Sequence, residues 1–203
     1  LMARMGFLYE TVGEEFSIQP IRMADPDASV LHMMIMDFWK LNKEINRRHS
    51  QLEQIVAATF PELKSFFVDG TARRASRAIL ERYPTPKELA QASVKDITAI
   101  LRAKRAHHHG NRAAELLALA KESAGVPMLL HHQWRQDWLI RQLSFLEQAR
   151  QELREQIERV VSTHPYKAIL DSLPVRSPIW ASGLIAVIGD IHRFQNYGEF
   201  KAY

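Results

Sequence analysis

The sequence contains no cysteine among its 203 residues. Disulfides, thiolate nucleophiles and cysteine-ligated metals are therefore excluded, and the chain is compatible with a reducing compartment. Apolar runs such as residues 184–188 are too short to cross a bilayer, and the N-terminal stretch carries acids where a signal peptide requires an apolar core. We expect a cytoplasmic protein that has no membrane partner.

The sequence also lacks the common catalytic motifs. It has no Gly-rich phosphate loop, no Gly-x-Ser-x-Gly elbow and no His-Glu-x-x-His zinc helix. Residues 107–109 are three consecutive histidines, but adjacent residues cannot all face one metal ion from regular structure, and no acid accompanies them. Asp25 and Asp27 fit helix capping better than a magnesium pair. We assign no catalytic residue, metal ligand or cofactor within the chain.

No segment shows the two-residue alternation of a β-strand, so we predict an all-α fold. Asp25-Pro26 marks the start of a long helix, because aspartate is a good N-cap and proline fits the first helical position. A second long helix is expected from about Pro127 to Thr163. Short capped helices should form a small module between them, at about residues 60–126. Ser93 and Asp96 have the spacing of a capping box, with aspartate in place of the usual glutamate.

Apolar residues recur in alternating steps of four and three along both long helices, which is a heptad pattern. Asn42 and His49 share one heptad position, where a polar residue typically fixes register and oligomeric state. His49 could instead be a catalytic base, although no carboxylate or serine has the spacing to orient it. The matching stripes predict an antiparallel coiled-coil arm or its dimeric equivalent. The residues predicted to dimerise the chain are Leu31, Ile35, Phe38, Asn42, Ile45, Leu139, Leu143, Leu146, Leu153 and Ile157.

Three aromatic residues, Trp134, Trp138 and Phe145, widen the apolar face of the second long helix. Tryptophans in such a position are more often core or interface anchors than platforms for stacking nucleic-acid bases.

The net charge of +4 is unevenly distributed. Residues 64–112 carry eleven bases and four acids, whereas residues 1–63 carry six bases and nine acids. Residues 102–112 are the densest basic segment, and two alternatives remain for it: a nucleic-acid-binding surface or a solvated loop between helices. The residues predicted to bind nucleic acid are Arg73, Arg74, Arg77, Arg102, Lys104, Arg105, Arg112 and Arg176.

The C-terminal residues have the outline of a helix-hairpin-helix. An apolar helix end is followed by a short hairpin at Pro174 to Pro178 and by a second helix, Ile179 to Asp190. Units of this kind hold a nucleic-acid phosphate on the exposed backbone N–H groups at the start of the second helix.

Three stretches give the chain a resemblance to a known family. They are FPEL at residues 60–63, LERYPTPKEL at residues 80–89 and LIAVIGDI at residues 184–191, followed by Arg193-Phe194 and Lys201-Ala202-Tyr203. In this order and spacing they resemble the middle and early C-terminal part of insertion-sequence transposases of the family typified by insertion sequence 110, with relatives 116 and 902.

The resemblance implies a fragment of a DNA transposase. Residues 1–24 would be the tail of an N-terminal RNase-H-like domain, residues 25–163 the coiled-coil helices with their inserted module, and residues 164–203 the start of the C-terminal domain. The family's magnesium-binding Asp-x-x-Asp-Ala motif would lie immediately upstream and its serine nucleophile downstream. The implied partners are DNA, a guide RNA encoded by the element and a second copy of the protein. One departure is the loss of both hairpin glycines, which leaves Arg176 to contact phosphate there.

Overall fold

The computed structural model describes residues 26–67, 69–104, 109–172, 177–189, 194 and 196–202. Every regular element within these residues is helical, which confirms the predicted all-α fold. The α-helices of the described residues are α1 Pro26–Thr59, α2 Pro61–Phe66, α3 Arg74–Arg82, α4 Pro86–Ala90, α5 Val94–Ala103, α6 His109–Lys121, α7 Leu130–Thr163, α8 Lys167–Asp171, α9 Pro178–Ile188 and α10 Tyr197–Ala202, and a short 3-10 turn, Gly70–Ala72, precedes α3.

The long helices follow their sequence signals closely. α1 begins at Pro26 and ends at Thr59, just before the Phe60-Pro61 pair, because a residue that precedes proline disfavours the α conformation. α7 ends at Thr163 as predicted but begins at Leu130, three residues later than Pro127. The N–H of Val126 donates to the carbonyl of Ala58, 2.9 Å away. This hydrogen bond holds the non-helical segment before α7 against the end of α1.

Side-chain caps start two of the short helices. The hydroxyl of Thr85 accepts a hydrogen bond from the N–H of Glu88 at 3.2 Å, and that of Ser93 accepts from the N–H of Asp96 at 3.1 Å. The Ser93 hydroxyl also donates to the Asp96 carboxylate at 2.7 Å. The predicted N-cap of α5 is thus present, with the Asp96 carboxylate bonded to the serine hydroxyl instead of to the backbone N–H that a capping box uses.

The chain divides into two compact units, and both boundaries fall inside the long helices. Unit 1 consists of residues 1–37 and 154–203, and unit 2 consists of residues 38–153. Each long helix therefore contributes one part to each unit. The predicted domain boundaries near residues 24 and 163 stay predictions.

Unit 2 has one hydrophobic core that the long helices share with the inserted module. Ile45 of α1 and Leu143 of α7 belong to the same buried cluster as Leu63, Ile79 and Leu116 of the short helices. The predicted coiled-coil arm is not confirmed, because heptad residues of both long helices pack in this common core. The other side chains of the cluster with at most 1% exposure are Leu52, Val56, Leu89, Ile97, Leu101, Ala113 and Leu139.

Within unit 2, α1 and α7 run antiparallel. Asn42 is hydrogen-bonded to Arg150 at 3.0 Å, and the guanidinium of Arg48, further along α1, lies 5.6 Å from the ring centre of Trp138, further back along α7. The predicted antiparallel order of the two helices is therefore present in this unit.

Unit 1 contains the two helices predicted to flank the C-terminal hairpin. Buried residues of this unit include Leu31, Ile157 and Ile185. α9 begins with Ser177 as N-cap and Pro178 at the first helical position, and it ends at Ile188, with Gly189 at a φ of 60° as C-cap. Most of the predicted hairpin, including Arg176, lies outside the described residues.

A close backbone approach in unit 2 generates a stability prediction. A Cβ added at Gly125 would lie 2.1 Å from the carbonyl oxygen of Thr59. We expect Gly125→Ala to destabilise the protein by about 2 kcal/mol, because two backbone segments would have to separate. Chemical denaturation monitored by circular dichroism measures the change.

Gly183, in the interior of α9, provides the matched control. A Cβ added at Gly183 meets no atom within 4 Å. Gly183→Ala should stabilise the protein by about 0.5–1 kcal/mol, because alanine is the better helix former. Equal effects of the two substitutions would contradict the proposed approach at Gly125.

Candidate nucleic-acid interface

Four of the predicted nucleic-acid-binding side chains are exposed in unit 2. Arg73 and Arg74 lie at the start of α3, while Arg102 and Lys104 lie at the end of α5. Arg73 pairs with Asp69 at 2.7 Å, but its side chain is 58% exposed. α3 and α5 contact each other in the module. These four side chains are accessible to a phosphate group.

Arg77 belongs to the interior of unit 2, which corrects its predicted role. It is only 5% exposed, and its guanidinium donates two hydrogen bonds to the carboxylate of Glu147 at 2.8 and 2.9 Å. A second nitrogen of the guanidinium lies 3.2 Å from Nε2 of His49. The side chain therefore connects α3 to α7 and α1, and it has no exposed face to offer to nucleic acid.

Arg112 is likewise committed to the core of unit 2. Its guanidinium donates to the carbonyl of Phe66 and lies 4.3 Å from the ring centre of Phe66 and 5.6 Å from that of Phe67. Both phenylalanines are buried. The cation–π contacts attach α6 to the end of α2, so Arg112 serves packing instead of the predicted phosphate contact.

Two predicted binding residues, Arg105 and Arg176, lie outside the described residues. Of the predicted binding residues, Arg73, Arg74, Arg102 and Lys104 are the exposed ones in the part of the chain that the structure describes.

His49 is held neutral by its position beside Arg77. Because a guanidinium can only donate, Nε2 of His49 must accept, and we assign the ring hydrogen to Nδ1. Burial and then the charge of Arg77 lower the pKa of His49, against the opposing effect of Glu147. Since Nε2 is already occupied by Arg77, His49 is not placed to act as a general base, and its interhelical role is the one that fits.

Sequence reasoning missed the ion pair that uses Arg77. Glu147 follows the buried Leu143 by one helical turn, and His49 lies on the facing stripe. In the sequence, an acidic residue one turn from a core position indicates that a buried cation from another element pairs with it. Only the fold shows that this cation is Arg77, seventy residues away along the chain.

The residues predicted to dimerise the chain are covered within a single chain. Leu31, Leu139 and Leu143 have no exposed surface, and Asn42 is occupied by Arg150 and by the carbonyl of Phe38. The buried members of the stripe pack within one chain, and dimerisation through the stripe stays a prediction. The other members are either buried (Ile35, Ile45 and Ile157) or half-buried (Phe38, Leu146 and Leu153).

A row of aromatic residues lies on α7 outside the buried stripe, and we call it the aromatic stripe: His131, Trp134, Trp138 and Phe145. The rings of Trp134 and Trp138 are stacked, with centres 6.0 Å apart and planes 9° apart. His131 stacks on Trp134 at 6.5 Å. Beside the stripe is an open groove of about 470 Å³, lined by Glu44, Arg48, Trp138, Arg141, Gln142, Phe145 and Leu146.

Within the described residues, no group of three or more histidines or acids is arranged to hold a metal ion. In the same residues, no helix has both the length and the apolar character needed to span a membrane.

Comparison with known proteins finds no protein-family model that matches the chain and no curated protein with significant similarity to it.

The environment of His49 predicts a pH dependence of stability. Its pKa is lowered in the folded state, so the unfolded state binds the proton more tightly. The stabilisation is complete above the unfolded pKa of about 6.5 and is lost as the pH falls below it. The groups that face the ring are Arg77, Glu147, Glu53 and Arg150. Urea denaturation between pH 8 and pH 5 measures the change.

His49→Gln is the control, because glutamine can still accept a hydrogen bond from Arg77 but does not titrate. We expect this variant to lose the part of the pH dependence that lies just below pH 6.5. An identical pH profile in the variant would show that His49 does not carry the effect.

Proposed function

We propose that this chain is a nucleic-acid-binding helical part of an insertion-sequence DNA transposase. The observation that carries the proposal is the charge of unit 2, which has nineteen Lys and Arg residues against twelve Asp and Glu residues. Unit 1 has the opposite balance, eight against eleven. Clustered positive charge binds the phosphate backbone by releasing condensed counterions.

The end of α5 offers two available cations. Arg102 and Lys104 are both exposed, and neither is engaged in an ion pair with any residue that the structure describes. By contrast, Arg73 already has Asp69 as a neighbour. A phosphate that binds at Arg102 and Lys104 would replace only water and counterions, so these two side chains should contribute most of the electrostatic affinity.

The transposase part of the proposal is supported by the three stretches of resemblance. They imply a parent protein that cuts and rejoins DNA and is guided by an RNA from its own element. The cytoplasmic location is proposed from the composition and the lack of a signal peptide. The chain would contribute phosphate contacts to that reaction, while the acidic and serine groups would come from flanking sequence. A non-enzymatic helical binding module is the alternative, and it would use the same basic surface.

The salt dependence of binding tests the phosphate contacts. Arg102→Ala combined with Lys104→Ala should weaken binding to a DNA or RNA oligonucleotide. It should also reduce the slope of log K against log salt by about 2, because each phosphate contact contributes about 0.9. Fluorescence anisotropy at several salt concentrations measures both quantities for each oligonucleotide.

A matched control removes two positive charges from unit 1. Arg154 and Arg159 are exposed on α7 in that unit. Changing both to alanine should leave the slope within experimental error of the original protein. A slope that is unchanged by the Arg102 and Lys104 substitutions, or changed equally by both pairs, would refute the assignment of the surface.

The gene sequence on either side of the chain tests the transposase assignment separately. We expect an Asp-x-x-Asp-Ala motif just upstream and a segment with a catalytic serine just downstream. A start codon at residue 1 together with a stop codon after Tyr203 would favour the binding module.

A further inference from the structure

We propose that Asp69 limits the affinity of unit 2 for phosphate by competing for the guanidinium of Arg73. This inference rests on the proposed function and names a residue that regulates the same surface. The carboxylate of Asp69 lies 2.7 Å from Nε of Arg73, and both side chains are more than half exposed. A phosphate group can bind Arg73 only if it displaces this carboxylate or shares the guanidinium with it. The acid therefore weakens the binding of any anion there.

The short turn before α3 fixes the backbone of Asp69. The carbonyl of Asp69 accepts a hydrogen bond from the N–H of Ala72 at 3.0 Å. The next residue, Gly70, has a φ of 51°, and a Cβ there would lie 2.6 Å from Oε1 of Glu53. The turn thus requires glycine and holds the carboxylate within reach of Arg73. A fixed backbone reduces the conformational entropy that an exposed ion pair has to overcome.

The carboxylate of Asp69 does not cap a helix. Arg73 is the N-cap residue of α3, and no side chain accepts a hydrogen bond at this cap. Asp69 precedes the 3-10 turn, and its side chain does not cap that turn either. Asparagine has nearly the same shape as aspartate, so Asp69→Asn removes the charge without removing a cap.

Arg74, the neighbour of Arg73, is engaged more weakly. It is 75% exposed, and the carboxylate of Glu147 lies 3.8 Å from its Nε. That carboxylate already accepts two hydrogen bonds from Arg77, at 2.8 and 2.9 Å. The start of α3 therefore presents one arginine with a close acid of its own and one whose nearest pairing acid is shared with the core. Asp69 accounts for this difference between the two arginines.

Removal of the Asp69 charge tests the proposal. In Asp69→Asn, binding to a DNA or RNA oligonucleotide should tighten by about fivefold, because the phosphate no longer competes with an exposed ion pair. The slope of log K against log salt should also steepen by about 0.9, the contribution of one additional phosphate contact. Fluorescence anisotropy at several salt concentrations measures both quantities, and circular dichroism checks that the variant is folded.

Asp137→Asn is the matched control. Asp137 forms an ion pair of the same spacing with Arg141, also at 2.7 Å and with both side chains more than half exposed, on α7 in the same unit. The substitution removes the same charge, but its partner is not one of the predicted binding residues. It should change the affinity by less than about twofold, because salt screens an exposed charge that is distant from the phosphate.

The Arg73→Ala chain separates competition for Arg73 from a general gain in positive charge. In this chain the contested cation is absent, so adding Asp69→Asn should tighten binding no more than the Asp137→Asn control does. The steeper salt slope should also disappear. This cycle assigns the effect of Asp69 to its pairing with Arg73.

Two results would overturn the inference alone. One is an equal gain from Asp69→Asn and Asp137→Asn, or a gain that persists in the Arg73→Ala chain, since net charge would then explain it. The other is unchanged or weaker binding by Asp69→Asn, which would mean that the carboxylate does not compete with phosphate. Neither result affects the test of Arg102 and Lys104. A chain that binds no oligonucleotide would overturn the proposed function as well, so the two failures are distinguishable.

Discussion

The ion pair between Arg77 and Glu147 is the interaction on which the arrangement of unit 2 depends. It joins α3 to α7, and through His49 it also reaches α1. One nitrogen of the guanidinium donates to both carboxylate oxygens and another faces His49, so the planar group accepts only a narrow range of positions. A shift of α7 by one turn would leave both charges unpaired in a mostly buried site, at a cost of about 3–5 kcal/mol. The pair therefore fixes the register of the module on the long helices, and with it the positions of Arg73 and Arg74 at the surface.

The elements of the fold could be predicted because their signals are local. Pro26 and Ser93 start helices through contacts within one turn, and such contacts are visible in the sequence. The roles of Arg77 and Arg112 could not be predicted in this way, because their partners lie 70 and 46 residues away. By composition alone, the basic side chains of the segment 64–112 cannot be told apart. The fold separates them into cations that hold the core together and cations that remain exposed.

The heptad pattern identified which residues are buried but not what covers them. Leu139 and Leu143 are fully buried, as the four-three spacing indicates. That spacing is compatible with burial against a partner helix, a second chain or a separate module. In unit 2 the stripe is buried against both the other long helix and the inserted module. Which apolar side chains stay exposed could be found only after this core was filled. Trp134 and Phe145 lie off the heptad positions and remain exposed beside the covered stripe.

The first two stretches that resemble the transposase family lie at structural positions of unit 2. The carboxylate of Glu62, in the first, accepts hydrogen bonds from the Ser123 hydroxyl at 2.7 Å and the Ala124 N–H at 2.8 Å. Burial alone would raise the pKa of Glu62, but these hydrogen bonds outweigh it and hold the pKa below its usual value. In the second, Thr85 caps α4. These two stretches hold the core of unit 2 together, whereas the proposed phosphate contacts lie on the exposed cations at the end of α5. The proposed transposase assignment and the proposed phosphate-binding surface therefore rest on different residues, and sequence drift could remove the basis of one while that of the other persists.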